Sequence, residues 1–228
     1  MRFARVLPLA FAPLAFAPLA LAPIALAPIA LALAPRAAGA QLLGGVDASV
    51  GIGSGNQRLA VSAWRPLTNV LDIVTLSYGV RLTSYTGDAG AYTNRGTTAG
   101  LFAPTLSIAP QVVGINLGAA VDVAIWGDFG AGFNLDLIGV ATGPERTSGT
   151  LVAKPQQGSL FAGGSPDKGA LNSETYISWH ALPTLIVRAG TSHYVTNYDV
   201  SDPLVTGSAS TRYQRFVTVP FVALTFKF

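Results

Sequence analysis

The stretch 211–228, TRYQRFVTVPFVALTFKF, constrains this chain more than any other part of it. From Pro220 onward every second side chain is apolar: Val222, Leu224, Phe226 and Phe228, with Thr225 and Lys227 between them. A period of two marks a strand with one apolar face and one mixed face. In an open sheet such a strand, closing on Phe228, would be a bare apolar edge, which soluble proteins avoid. A transmembrane barrel removes the edge by pairing its last strand with its first. The competing reading is the edge strand of an ordinary sandwich, and the rest of the sequence has to choose.

The opposite end predicts export. Arg2 and Arg5 form a basic head, an apolar run reaches Ala34, and Arg36 precedes Ala38-Gly39-Ala40, an A-x-A cleavage pattern that predicts a mature start at Gln41. The run is a five-residue repeat in which Pro8, Pro13, Pro18, Pro23 and Pro28 recur, each removing a backbone donor. An expanded signal region fits this better than a solenoid, because five residues cannot form a stacking unit. A retained, proline-broken anchor is the alternative. The expected organisation is a signal peptide over 1–40 and one barrel domain over 41–228.

Setting that head aside changes the charge. Its only ionisable side chains are Arg2, Arg5 and Arg36, so the +3 net charge belongs to it, and 11 basic residues face 11 acidic ones in the remainder. A neutral remainder argues against nucleic-acid binding. Cysteine is absent, which excludes disulfides, thiolate metal sites and a cysteine nucleophile. Stability must come from backbone pairing or from a large core.

Eight alternating segments can be laid out, at 45–53, 57–65, 71–85, 112–126, 131–142, 170–181, 184–196 and 211–228. Turns after the second, fourth and sixth are short, and connections after the third, fifth and seventh are long, as in an outer-membrane barrel with both termini on the periplasmic side. The tight turn after the first, at Gly51-Ile52-Gly53-Ser54-Gly55, is a hairpin tip; no helix follows it, so it is no dinucleotide fingerprint. A segment at 101–109 is a possible additional strand. Trp64, Trp126 and Trp179 fall at the periplasmic ends, and Tyr85, Tyr194, Tyr198 and Tyr213 at the outer ends, a distribution that two aromatic girdles would produce. Strict alternation turns Trp64 and Trp126 inward, so each must either line the lower lumen or follow a bulge.

The inward face collects charges: Asp47, Asp122, Asp136 and Glu174 against Arg58, Arg81, Arg188 and Lys227, with His180 beside them. Facing lipid, each basic side chain would cost about 2–4 kcal/mol near the midplane. The lumen of an eight-stranded barrel is just wide enough to be filled by side chains, so the expectation is a plugged barrel with paired charges. The lipid-facing set of the terminal strand is Val222, Leu224, Phe226 and Phe228. Catalytic readings compete for the same residues: Asp136 with Glu174 as an acid/base pair, or His180 with an Asp and a Ser as a triad. Inward polar residues arise on every barrel strand, and nothing in the spacing singles these out, so no catalytic, cofactor or metal site is assigned. The two histidines, His180 and His193, have opposite facing and make no metal-ligand cluster.

His193-Tyr194-Val195 is similar to the His-x-Ser signature of lipid A deacylases, yet Val195 stands where the serine belongs and no Glu follows Glu174. By parity His193 faces lipid, as an outer-rim aromatic. Taken whole, the chain resembles the small outer-membrane β-barrels of the OmpA/OmpX-like class. The segments 132–139, GFNLDLIG, and 167–174, DKGALNSE, are similar to parts of uncharacterised Bacteroidota-type barrel proteins. The resemblance implies an all-β, antiparallel up-and-down transmembrane barrel in the outer membrane with no established activity. It also implies outer-membrane lipids and the barrel assembly machinery as partners, and loops available to an extracellular ligand. The expected role is structural or surface-interacting; the enzyme alternative is a lipid-modifying barrel with a rim site. A soluble, lipocalin-like barrel would need the inverse arrangement, an apolar interior and a polar exterior.

Overall fold

The last strand pairs with the first. In the computed structural model, which describes residues 44–96, 105–162, 165–201 and 210–228, fourteen strands form one sheet. They are β1 (Gly45–Gly53), β2 (Asn56–Val70), β3 (Val74–Gly87), β4 (Gly90–Asn94), β5 (Thr105–Ile108), β6 (Gln111–Trp126) and β7 (Phe129–Thr142). The second half supplies β8 (Arg146–Ser148), β9 (Leu151–Pro155), β10 (Gly158–Ala162), β11 (Ser165–Lys168), β12 (Ala170–Leu182), β13 (Leu185–Ser201) and β14 (Ser210–Lys227). Eight of them close a ring in the order β1, β2, β3, β6, β7, β12, β13, β14, with β14 returning to β1 from Lys227 opposite Gly45 to Phe221 opposite Gly51. Every neighbouring pair in the ring is antiparallel. The fold is the expected eight-stranded antiparallel up-and-down barrel. The predicted signal segment, 1–40, lies outside the described residues.

Three tight turns, after β2, β6 and β12, share one end with the beginning of β1 and the end of β14; we call it the turn end. The opposite, loop end also carries one tight turn, where Ser54 and Gly55 both take positive φ, 31° and 74°. Positive φ at both central residues matches the twist of a two-residue hairpin, and glycine at the second position accepts it without steric cost.

Alternation sorts the side chains by face. On β6, Ile115 and Leu117 are more than half exposed on the outside, whereas Asn116 between them is 1 % exposed. Along β1 to β3 the outward set is Val50, Ile52, Val80 and Leu82. An apolar outside around a polar inside is the inverse of a soluble barrel, and it defines a membrane-spanning one. Two register shifts in the β6–β7 pair modify the simple parity. At Leu117/Gly118 the pairing skips Leu137, so that Leu137 and Ile138 both point outward. At Ala124/Trp126 a second shift turns Trp126 out to 79 % exposure, while Trp64, on the regular β2, stays inside at 8 %. Each tryptophan takes one of the two alternatives that parity allows. Trp126, Phe129 and Trp179, on three adjacent strands, form the outward girdle of the turn end.

The long connections are not loops throughout. The 101–109 segment contributes β5, which pairs with β4, and β4 in turn docks on the upper part of β14, Asn94 opposite Tyr213. β9 extends the edge of β13 and β8 extends β9, while β10 lies along the upper part of β7 and pairs with β11. β5 and β8, at the two ends of the run β5–β4–β14–β13–β9–β8, come into contact, so this run wraps into a collar above the barrel. None of these short strands belongs to the ring.

Candidate functional site

Arg58 on β2 reaches Glu174 on β12, at 2.7 Å. In ring order those two strands are diametrically opposite, so this one ion pair spans the lumen. Arg81, on β3, carries the layer onward: its guanidinium meets Asp136 on β7 at 3.0 Å and Glu174 at 3.3 Å. All four side chains are at most 1 % exposed. Several of the remaining lone pairs and N–H groups find partners too. Asn134, the direct cross-strand neighbour of Glu174, donates to it at 2.6 Å. Asn116 and the backbone N–H of Asn172 donate to Asp136 at 3.0 and 3.1 Å. Ser49 and Ser62 accept from Arg58 and Arg81. The Asn172 side-chain oxygen, in the amide orientation that satisfies its neighbours, accepts from both arginines, and its nitrogen donates to Ser192. Phe221 of β14 lies 5.4 Å beneath the Arg58 guanidinium. Every one of the eight ring strands contributes a group to this layer.

Buried ions are costly unless paired and hydrogen-bonded. Two guanidinium groups, two carboxylates and three asparagines meet that condition together, because the layer is neutral and each carboxylate has several donors. Arg81 also sits 5.4 Å over the Trp64 ring. Towards the turn end a second set follows: Arg188 pairs with Asp47 and lies 4.6 Å over the Tyr176 ring, and the Tyr176 hydroxyl donates to Asp122 at 2.8 Å. Tyr176 also meets Phe221 edge to face, at 6.4 Å. The backbone makes room for these rings. A Cβ on Gly132 would fall 2.5 Å from the Tyr176 ring, and one on Gly79 would fall 2.6 Å from that of Trp64.

The structure brings together six of the eight charged residues proposed for the lumen as ion pairs: Asp47, Arg58, Arg81, Asp136, Glu174 and Arg188. Asp122 is held by a tyrosine rather than a base, and Lys227 is exposed at the turn end. Lys227, His180 and Ser178 line an open vestibule there of about 430 Å³, with Asp122 and Arg188 deeper in its wall. The suggested acid/base pair, Asp136 with Glu174, is locked on either side of Arg81. His180 is exposed, and the Asp122 carboxylate near it is occupied by the Tyr176 hydroxyl. On the terminal strand Val222, Leu224 and Phe228 are exposed outward and Phe226 is half-buried, whereas Phe221 and Ala223, on either side of Val222, are buried inside. His193 points outward, stacked 5.7 Å from Phe216, its Nδ1 2.9 Å from the Thr218 hydroxyl.

One expectation is corrected. Tyr85, Tyr194, Tyr198 and Tyr213 do not form an outward girdle at the loop end: all four are 0–1 % exposed. With Tyr92, Leu106, Ile108 and Val112 they form an apolar core inside the barrel mouth and the collar. Tyr85 and Tyr194 pack with centroids 4.5 Å apart, and Tyr92 meets Tyr198 edge to face at 5.4 Å. The hydroxyls are satisfied where they can reach: Tyr85 donates to Asn56, and Tyr92 bonds Thr196, both at 2.7 Å. Burial pushes the Tyr92 and Tyr198 phenols, both in the collar, above the ordinary range. The signal for this core was in the parity: Tyr85 shares its face with Arg81, and Tyr194 with Arg188. The asparagines of the charged layer were legible in the same way, Asn116 sitting alone among aliphatic residues of the opposite face.

No family model matches the sequence, and no curated protein matches it. Among solved structures the chain is similar to the crystal structure of Neisserial surface protein A (NspA), at 15 % identity over 81 % of this chain and 95 % of that one, with a TM-score of 0.36. It is also similar to the outer membrane protease OmpT from Escherichia coli, at 12 % identity over 76 % of this chain and 64 % of that one, with a TM-score of 0.37. Likenesses at that level add nothing to what the strand pairing and burial establish. Those two define the class: a small eight-stranded β-barrel of the outer-membrane type, apolar outside and polar within.

Proposed function

We propose that this chain is a non-conducting outer-membrane protein whose barrel is a closed support for the collar it raises at the loop end. The observation that carries this reading is the Arg58–Glu174 pair across the full width of the lumen, at 2.7 Å, inside a layer to which all eight ring strands contribute. The tyrosine core above the layer supports it, because two independent seals lie in series along the axis. A barrel filled in this way has no path for ions, and its architecture is that of proteins assembled into outer membranes. Its role is structural or surface-interacting, carried by the strands that extend beyond the ring.

The test is reconstitution into planar bilayers. The wild-type chain is expected to give no steps above the bare-membrane baseline. Large, stable, porin-like steps overturn the proposal. Surface proteolysis of intact cells examines the orientation: cleavage within 88–110 or 143–169, with the ring strands protected, is the expected pattern.

A further inference from the structure

The vestibule at the turn end has two unlike walls. Trp64 on β2, Arg188 on β13, and Thr225 and Lys227 on β14 line it from one arc of the ring. Asp72 in the β2–β3 turn, Asp122 on β6 and Asp128 in the β6–β7 turn line it from the other. Backbone bonds hold this acidic wall in place: Ala124 N–H donates to the Ile73 carbonyl, and His180 N–H to that of Asp128, both at 2.8 Å. Arg188 is engaged by Asp47. The charges left over are one ammonium, Lys227, against three carboxylates. Asp122 takes the Tyr176 hydroxyl on one oxygen only, and among the described residues no ion pair joins Lys227 to any of the three acids. Protonating His180, on β12 between the two walls, would still leave the balance negative.

A cleft of about 430 Å³ with a surplus of carboxylates attracts a cation and repels an anion. The opposite wall sets a second, independent requirement. The Trp64 and Arg188 side chains are both more than nine-tenths buried, and the Trp64 Nε1–H and Arg188 Nε–H have no acceptor among the described residues; the Thr225 hydroxyl is unpartnered as well. Buried donors are costly to leave unmatched, and a neutral carbonyl oxygen matches them without adding negative charge. Between the walls, Pro66, Ile73, Val123, Ile186 and the Tyr176 ring supply apolar surface. We propose that the vestibule binds the amino end of an apolar peptide. Its ammonium lies against Asp122 and Asp128, its first amide carbonyls turn to Trp64 and Thr225, and its side chains cover the apolar surface. A fatty carboxylate is repelled by the acidic wall, and a simple alkylamine lacks the acceptor that the donors require. The charged layer closes the lumen above, so the vestibule is a blind pocket; the proposal shares that closure with the function proposed above.

The test is calorimetric titration of the chain in lipid nanodiscs, with empty nanodiscs subtracted. Three probes are compared: leucyl-leucine amide, its N-acetyl derivative, which has no ammonium, and hexylamine, which has no carbonyl. Leucyl-leucine amide is expected to bind saturably at one site, and each of the other two at least tenfold more weakly. Asp122→Asn, which still accepts from Tyr176, and Asp128→Asn, on an exposed turn, are each expected to weaken the amide severalfold. Lys227→Met should strengthen it, because it removes the competing ammonium, and Glu145→Gln at the loop end should leave it unchanged. Heat-modifiable migration on gels reports folding of each variant separately, and Asp128→Asn carries the test if Asp122→Asn does not fold. The absence of saturable binding to the folded chain overturns the proposal. So do equal affinity for the N-acetyl probe, hexylamine binding as tight as the amide, and unchanged affinity in the folded aspartate variants. A chain that binds the amide yet conducts in planar bilayers refutes the closed barrel and leaves the peptide site standing.

Discussion

Replacing Glu174 with Gln keeps the shape of the side chain and removes one negative charge from a layer that holds two of each sign. Asp136 remains 3.0 Å from Arg81, so that arginine keeps a partner, and the uncompensated charge is Arg58, whose carboxylate at 2.7 Å is gone. Breaking one buried ion pair costs about 3–5 kcal/mol when the other ion is left alone. The value is expected near the upper end, because Asn134 also loses a charge-assisted bond of 2.6 Å. Arg58→Met should cost a similar amount, for the mirrored reason. The combination, however, leaves the Arg81–Asp136 pair neutral and complete. Its cost should therefore fall short of the sum of the two single costs by about 2–3 kcal/mol, the upper range of coupling between contacting residues. Urea unfolding in lipid vesicles, followed by tryptophan emission, measures all three variants, and Trp64, stacked under Arg81, reports on the layer itself. A Glu174→Gln cost below about 1 kcal/mol, or strict additivity in the double variant, would falsify the dry, mutually dependent layer and point to a hydrated lumen.

Facing on the terminal strand is tested by neighbours: Leu224→Arg places a charge in hydrocarbon at about 2–4 kcal/mol if near the midplane, whereas Thr225→Arg, next to the vestibule, should be the milder change in the same unfolding assay. If Thr225→Arg proves the more damaging, the facing is reversed. Gly132→Ala presses a methyl group against the Tyr176 ring and is expected to destabilise the barrel by about 1–3 kcal/mol through overpacking, an effect that Tyr176→Leu should relieve. Tyr92 and Tyr198 have phenols raised by burial, so their contribution to the collar is complete below the unfolded tyrosine value near 10 and is lost as pH rises from there towards their folded values. Hydrogen exchange at 90–94 and 151–155 should accelerate in that alkaline window while the heat-modifiable barrel persists; simultaneous loss of both would show that the collar has no separate stability.

What the sequence made legible was whatever depends on local period. Val80, Arg81 and Leu82 announce their faces because a strand alternates without regard to its neighbours, and closure follows once eight such segments are counted. The pairing of Arg58 with Glu174 was not legible, since it depends on which strands stand opposite each other and how far each is staggered. The bulge at Leu137 shows the limit of parity: one skipped residue sends Ile138 outward, and nothing in LDLIG marks the skip. The tyrosines fail differently. Their parity was inward from the start, but their position near the strand ends suggested a girdle, and only the collar, built from β4, β5, β8 and β9, explains why an inward ring at that height is dry. Those strands are too short and too polar at their ends to stand out from loop sequence.

The unequal lengths of β1 and β14 have a consequence for the order in which the molecule forms. β14 runs from Ser210 to Lys227, but β1 accompanies it only from Phe221 downward, and Pro220, which has no N–H to offer, stands where they part. The upper part of the same strand is met instead by β4, across more than a hundred residues of intervening chain and through only two register pairs, Tyr213 with Asn94 and Gln214 with Thr93. Closing a loop of that length in the unfolded chain costs about 4 kcal/mol of chain entropy. The β4–β5 part of the collar thus waits for β14, because β4 has no edge to join until the β13–β14 hairpin is in place. The barrel can complete its seam before β4 docks, and Tyr92 is then the last ring to join the tyrosine core.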